Sequence, residues 1–131
     1  MIRRDLNIGR WHVEFYFCPD GYDEDELLAR MYDFGAGIDN LRDAEKLMGY
    51  DTDNTGFAFT NGMDFVAMIV IGPYSSRAEF LDTLTHEIHH LAVAIASELG
   101  VDLEGEEPAY IVGDSVRDLA DVICALGCRC G

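Results

Sequence analysis

Basic side chains are scarce in this chain of 131 residues: 9 Lys and Arg stand against 25 Asp and Glu, a formal net charge of −16. No basic face is available to neutralise phosphates, which argues against a nucleic-acid partner. The acids are scattered and not gathered in one tail, so their plainest effect is solubility through self-repulsion. Long apolar runs are missing too. The longest, residues 65–71, is far too short to cross a bilayer. The opening MIRRDLNIGR carries arginines with no apolar stretch behind them, unlike a secretory signal. The expectation is a cytoplasmic protein with no membrane partner. Paired Cys-x-x-Cys halves are also lacking. Of the four cysteines, Cys18 closes a predicted strand, and Cys124, Cys128 and Cys130 crowd the last residues with no histidine near them. That spacing does not suit a zinc ribbon, and reduced thiols are expected. No repeat, low-complexity tract or linker divides the chain, so residues 1–131 are read as one domain with a single modest core.

What is present is a clear succession of periodic segments. Residues 11–18, WHVEFYFC, alternate, with Val13, Phe15 and Phe17 facing one way and His12, Glu14 and Tyr16 the other, the period of a half-buried strand. His12, alone on the polar face, is expected to be solvated. Pro19-Asp20-Gly21 breaks the strand. Helical spacing follows in residues 23–33 (Leu27, Leu28, Met31) and 38–48 (Leu41, Ala44, Leu47), separated by Gly35-Ala36-Gly37. Residues 55–60 and 63–71 are aromatic and β-branched and flank Asn61-Gly62, the signature of a hairpin on a type I′ turn. Gly72-Pro73 ends the second strand. Ser76-Arg77-Ala78-Glu79 then has the form of a capping box, and Gly100 is the expected stop of the helix it opens, residues 76–99. A second long helix, about 108–125, is predicted from Pro108 at a first helical position and from the stripe Ala109, Val112, Val116, Leu119, Ala120 and Ile123. The predicted fold class is α+β, a short twisted sheet with helices packed on one face.

The chemistry concentrates in Thr85-His86-Glu87-Ile88-His89-His90. On a helix His86 and His90 lie one turn apart and can aim both imidazoles at one ion. Glu87, offset by about 100°, misses that ion yet can reach a water beside it as a general base. His89 shares a face with His86, but that pairing leaves Glu87 without a role. Apolar residues surround most of this helix (Phe80, Leu81, Leu84, Ile88, Leu91, Val93, Ile95, Leu99), which predicts a buried, central element. Histidines buried there need partners, and a metal is the most economical one.

HEIHH on a helix that follows a hairpin, with an acidic second helix after it, resembles a zincin metallopeptidase. The details resemble small gluzincin-like proteins of bacteriophages and mobile elements, whose later segment of the type Glu-x-x-Ala-Tyr-Leu-x-Gly is matched by Glu106-Glu107-Pro108-Ala109-Tyr110-Ile111-Val112-Gly113. The resemblance covers roughly residues 57–118. It implies a zincin-like domain, a Zn2+ ion held by His86, His90 and a glutamate of the second segment, and hydrolysis of a peptide or protein substrate that pairs with an edge strand. Either hairpin strand could be that edge. For the third ligand the resemblance favours Glu106, with Glu107 and Asp114 as rivals. Simple geometry resists Glu106: if the second helix returns antiparallel, it starts near Leu99, about 13 Å from His90. Only a loop running back along the first helix would bring Glu106 to the histidines. Tyr110 could donate to an oxyanion or merely pack. Arg117 could orient a carboxylate or pair with Asp114 or Asp121. The alternative to a hydrolase is a non-catalytic protein stabilised by its metal.

Overall fold

The alternation in residues 11–18 becomes a strand that is covered on both faces. The computed structural model describes residues 1–19, 23–49 and 53–127. Strands β1 (Ile2–Ile8), β2 (Trp11–Phe17), β3 (Gly56–Asn61) and β4 (Val66–Ile71) form one sheet in the order β1-β2-β4-β3. The outer pairs are antiparallel and the central pair β2–β4 is parallel, which makes the sheet mixed. A parallel pair cannot be joined by a tight turn. Helices α1 (Glu24–Asp33) and α2 (Ile38–Gly49) lie in the crossover, between β2 and the β3–β4 hairpin.

Two apolar clusters follow from the period of two along the strands. Val13, Phe15 and Phe17 of β2, with Ala67, Ile69 and Ile71 of β4, pack under α3 (Arg77–Leu99) through Phe80, Leu84, Ile88, Leu91 and Ile95. Ile111 of α4 (Glu106–Asp118) and Val122 and Leu126 of α5 (Ala120–Gly127) complete that side. On the opposite face Tyr16, Met68 and Val70 meet Leu27 and Met31 of α1, Ala44 of α2, and Phe34. Helices thus cover both faces, where a single covered face was expected. The fold is α+β, as predicted, but in three layers. The reason lies in Leu27, Met31 and Ala44: the two short helices have apolar stripes of their own, and the sheet's second face is the surface that buries them.

Three boundaries differ from the sequence expectations. Strand β1 was not anticipated. Ile2, Leu6 and Ile8 do alternate, but Arg3, Arg4 and Asp5 obscure them, and Leu6 is the only buried residue of the strand. The hairpin forms, with Asn61 opposite Val66, so four residues and not two make the turn. The left-handed backbone falls on Phe65 (φ 55°), and the Asn61 carboxamide oxygen accepts from the backbone N–H of Met63 (3.1 Å) and of Asp64 (3.4 Å). Asn61 therefore shapes the turn with its side chain. The predicted helix 108–125 starts at Glu106 and is interrupted at Leu119. Buried Ser115 turns its hydroxyl back onto the Ile111 carbonyl (2.7 Å), a contact that bends helices. By contrast α3 keeps its predicted ends: the Ser76 hydroxyl accepts from the Glu79 N–H, and Gly100 closes the helix at φ 71°. Among the described residues no helix is long and apolar enough to cross a membrane.

The face of β2 expected to be wet carries a buried charge. Glu14 is fully buried. Arg30 of α1 holds it in a two-pronged fork (Nε to Oε1 2.9 Å, Nη2 to Oε2 2.6 Å), the Tyr16 hydroxyl donates to Oε1 (2.6 Å), and Arg3 approaches Oε2 (3.0 Å). His12, expected to be solvated, is 2.9 Å from the same carboxylate. Burial pushes the Glu14 carboxyl up, but the hydrogen bonds from Arg30, Tyr16 and His12 outweigh it and hold it at about 2. Because that value lies below the ordinary 4.5, the stabilisation is complete above the unfolded value and is lost as pH falls through about 2. Replacing Arg30 by Ala leaves a buried carboxylate without its fork. We expect a loss of about 3 kcal/mol in urea unfolding at pH 7, the low end for a broken buried pair because Arg30 is partly exposed. The difference from the parent should shrink between pH 4.5 and 2. A variant as stable as the parent at pH 7 would show that the pair does not hold α1 to the sheet.

Candidate metal centre

Helix α3 presents different residues on its two flanks, and the HEIHH stretch lies on one of them. The α3 helix covers β3 and β4, while α4 packs on α3 and β1 from the other side. At about 100° per residue, Glu87 falls on the flank toward β3, and His86 and His90 fall just beyond it toward solvent. The two imidazoles converge, with Nε2 of His90 3.1 Å from Nε2 of His86. Two nitrogens bound to one tetrahedral zinc at 2.0–2.1 Å would stand about 3.4 Å apart, so this pair fits two positions of such an ion with a small adjustment. Both rings are exposed, which differs from the buried placement that the apolar pattern of the helix suggested. His89 is also exposed and stands 6.2 Å from the His90 ring, centre to centre.

Glu87 is the buried member of the motif, at 6% exposure. Burial raises its carboxyl above the ordinary range, and the nearby His86 and His90 oppose that only in part. Glu87 and His90 line a cleft of about 440 Å³ with Gly56, Phe57, Ala58 and Thr60 of β3. Gly56 makes the close approach of strand to helix feasible. A Cβ there would stand 2.9 Å from the Thr83 methyl and from the Val70 carbonyl, and 3.3 Å from Cγ of Glu87. The strand lining the cleft is the outermost of its sheet. This decides between the two hairpin strands: β3 is the edge, and β4 is internal.

Glu106 is not brought to the histidines. The turn after Gly100 is tight: the Val101 N–H bonds to the Ala96 carbonyl and the Gly105 N–H to the Asp102 carbonyl, so the chain does not run back along α3. It returns antiparallel. Glu107 and Asp114 line a separate cavity with Ile95 and Leu99 at the far end of α3. At the other end, the Tyr74 hydroxyl beside Phe80 donates to the Leu126 carbonyl (3.0 Å). Leu99, nine residues from His90, is rotated by about half a circle, so α4 runs along the flank away from the histidine pair. Among the described residues no third Asp, Glu, His or Cys joins His86 and His90 within 4.8 Å. Tyr110 is 61% exposed and lines the same distant cavity. Arg117 pairs with Asp114 (3.2 Å) and approaches Asp118 (3.8 Å). Cys124 is an exposed free thiol, and Cys128 and Cys130 lie outside the described residues.

A different group does bring three donors together. Asp5, His12 and Glu14 each offer a ligand atom within 4.8 Å of the others and could hold a metal ion, with no preference for zinc evident in the donor set. Sequence reasoning missed it because Asp5 belongs to the strand that was not anticipated and faces Glu14 only through the β1–β2 register. Its charges are already matched: Arg30 and Arg3 face Glu14, and Arg3 also holds Asp5 at 2.9 Å.

No family model, curated protein or solved structure matches the chain. The roles of these residues therefore rest on their own chemistry.

Glu87 has a consequence for stability that metal-free protein will reveal. A carboxyl raised by folding binds protons more tightly when folded, so stability falls as pH rises above its unfolded value. In chelator-treated protein, Glu87→Gln should be more stable than the parent by on the order of 1 kcal/mol at pH 8, with a smaller gain at pH 5. Thermal melts at the two pH values check this, and a variant less stable at pH 8 would contradict a net cost of burying the Glu87 carboxylate.

Proposed function

We propose that the protein is a zinc-dependent hydrolase of the zincin kind, acting on peptide bonds. The observation that carries this reading is the convergence of the His86 and His90 Nε2 atoms 3.1 Å apart, next to buried Glu87, at the mouth of a cleft walled by β3. His86 and His90 would hold the ion. When bound, zinc would supply a Lewis acid that acidifies water and polarises a carbonyl. Glu87 would take the proton from an attacking water and pass it to the leaving amine. Its carboxyl, raised above the ordinary range by burial, holds a proton more readily than a solvated glutamate, which suits both duties. An extended peptide would add to the sheet along β3, whose outer edge has no strand partner among the described residues. Glu106 is not part of this reading. Two histidines leave the remaining coordination positions to water, to substrate or to a donor from another molecule.

The second reading, a non-catalytic protein that binds metal, is favoured by one observation: α4 brings no third ligand to the pair. Turnover separates the two. Purified protein should take up one zinc per chain, and His86→Ala and His90→Ala should each lose it. Glu87→Gln should keep zinc while peptide hydrolysis drops at least 100-fold. Zinc binding with no cleavage of a peptide library by the parent would favour the second reading. A Glu87→Gln protein as active as its parent, or a protein that takes up no zinc, would sink the first.

A further inference from the structure

The α3 helix and the edge strand β3 run side by side in the same direction. Gly56, at the start of β3, lies against Thr83 and Glu87. Gly62, just past the end of the strand, lies against Glu98: a Cβ added there would stand 2.5 Å from Oε2 of that side chain. The spacings agree, because the strand from Gly56 to Gly62 and the helix from the level of Thr83 and Glu87 to Glu98 each span about 20 Å. Glu98 follows Glu87 by eleven residues of helix, about 20° more than three whole turns, so both lie on one flank about 16 Å apart. Ala94 stands between them on that flank and is too short to block it. Across from it, Gly56, Ala58 and Thr60 put only small side chains on the cleft face of β3, while Phe57 and Phe59 pack on the opposite face. One groove thus follows the open edge of β3, with Glu87 toward one end and Glu98 at the other.

The two carboxylates differ in their surroundings. Glu87 is buried beside the histidines, whereas Glu98 is exposed and has no hydrogen-bond or ion-pair partner among the described residues. Arg10, the arginine at the β3–β4 turn, lies over the Phe65 ring, 4.7 Å from its centre, and pairs with no carboxylate among the described residues. Asp64 of the same turn accepts from the Asn61 carboxamide (3.1 Å) and adds a second negative charge at that end of the strand. We propose that Glu98 selects peptides that carry a lysine or arginine about four or five residues from the cleaved bond, on the side toward Asn61. The position of the cut rests on the hydrolase reading; the preference for a basic side chain does not. An extended peptide beside β3 advances about 3.3 Å per residue, so about 16 Å corresponds to about five residues. The long stem of lysine or arginine absorbs the difference between neighbouring positions. A net charge of −16 draws basic peptides toward the protein before they reach the groove.

The test peptides carry one lysine in a neutral background of serine, threonine and valine, each with a counterpart bearing glutamine in its place. Zinc-loaded parent protein should cut the lysine peptides about four or five residues from the lysine. Their kcat/KM should exceed that of the glutamine counterparts by about threefold or more at low salt, and by less at high salt, because the contact is exposed and screened. Glu98→Gln should remove that ratio and cut the glutamine peptides at the parent's rate. Binding is read separately, by fluorescence anisotropy of labelled peptides on Glu87→Gln protein, with zinc and with chelator. The lysine peptide should again be favoured by about threefold or more, and adding Glu98→Lys should reverse the preference toward a glutamate counterpart. Binding selectivity without cleavage of any peptide would remove the hydrolase reading and uphold the selection by Glu98. Equal binding of lysine and glutamine peptides, cuts at no fixed distance from the lysine, or a Glu98→Gln protein that keeps the parent's ratio would each overturn the proposal.

Discussion

A full negative charge stands in the middle of the sheet, and the architecture is arranged around neutralising it. Glu14 lies on β2, which has strands on either side and helices on both faces. Its carboxylate can stay ionised only because Arg30 reaches down from α1 with both prongs of its guanidinium while Tyr16, His12 and Arg3 satisfy the remaining lone pairs. Burying that carboxylate costs several kcal/mol, which the pairing offsets but does not convert into a large surplus. The net gain comes from the neighbours that the pairing brings into register. Leu27, Met31 and Phe34 are carried onto Met68 and Val70, each large side chain contributing roughly 1.5–3 kcal/mol by its burial. The ion pair specifies where α1 docks, and the apolar contacts supply the stability of the docked state.

With one face of the sheet committed to α1 and α2, the other is left to α3, which has to serve two neighbours at once. Its buried stripe covers β4 and β3, and its opposite flank takes α4. The HEIHH stretch is placed by this division of the surface. Glu87 is pressed against Gly56 at the edge strand, and His86 and His90 are held just outside, where rings can meet an ion from solvent. The same division keeps the carboxylates of α4 on the wrong side for completing that ion's shell. They line a second cavity instead, around Trp11 and Tyr110.

The elements that sequence could deliver are those whose signals are local. The Ser76 cap, the Gly100 stop and the alternation of β2 each depend on a handful of consecutive residues, and each is found where it was read. The motif on α3 is also local, since i and i+4 on one helix must converge. What was not legible depends on partners distant in the chain. Strand β1 hides behind Arg3 and Arg4, whose partners Glu14 and Asp121 lie 11 and 117 residues away. The polar face of β2 reads as solvated until Arg30 is known to cover it. The third ligand was not legible for the same reason: whether Glu106 reaches His90 depends on the path of a six-residue loop and on which flank of α3 receives α4, and neither is written in periodicity.

The two groups with ligand chemistry differ in what they lack, and the difference bears on which would take up a cation. Asp5, His12 and Glu14 have three donors in range, but two guanidiniums already balance the two carboxylates, so an entering ion meets positive charge and must displace Arg30 or Arg3 from short bonds. Among the described residues His86 and His90 have only two donors in range, yet no arginine or lysine pairs with either ring, and the charged group buried beside them is Glu87. A divalent ion there would offset the burial of the Glu87 carboxyl and would replace a single hydrogen bond between the rings with two coordinate bonds. In a chain carrying −16 overall, the long-range field favours cations at either place, so the local balance decides. That balance is why we propose the histidine pair for the ion: an ion lacking a protein ligand can recruit water, whereas one set against two guanidiniums must first break what holds the sheet to α1.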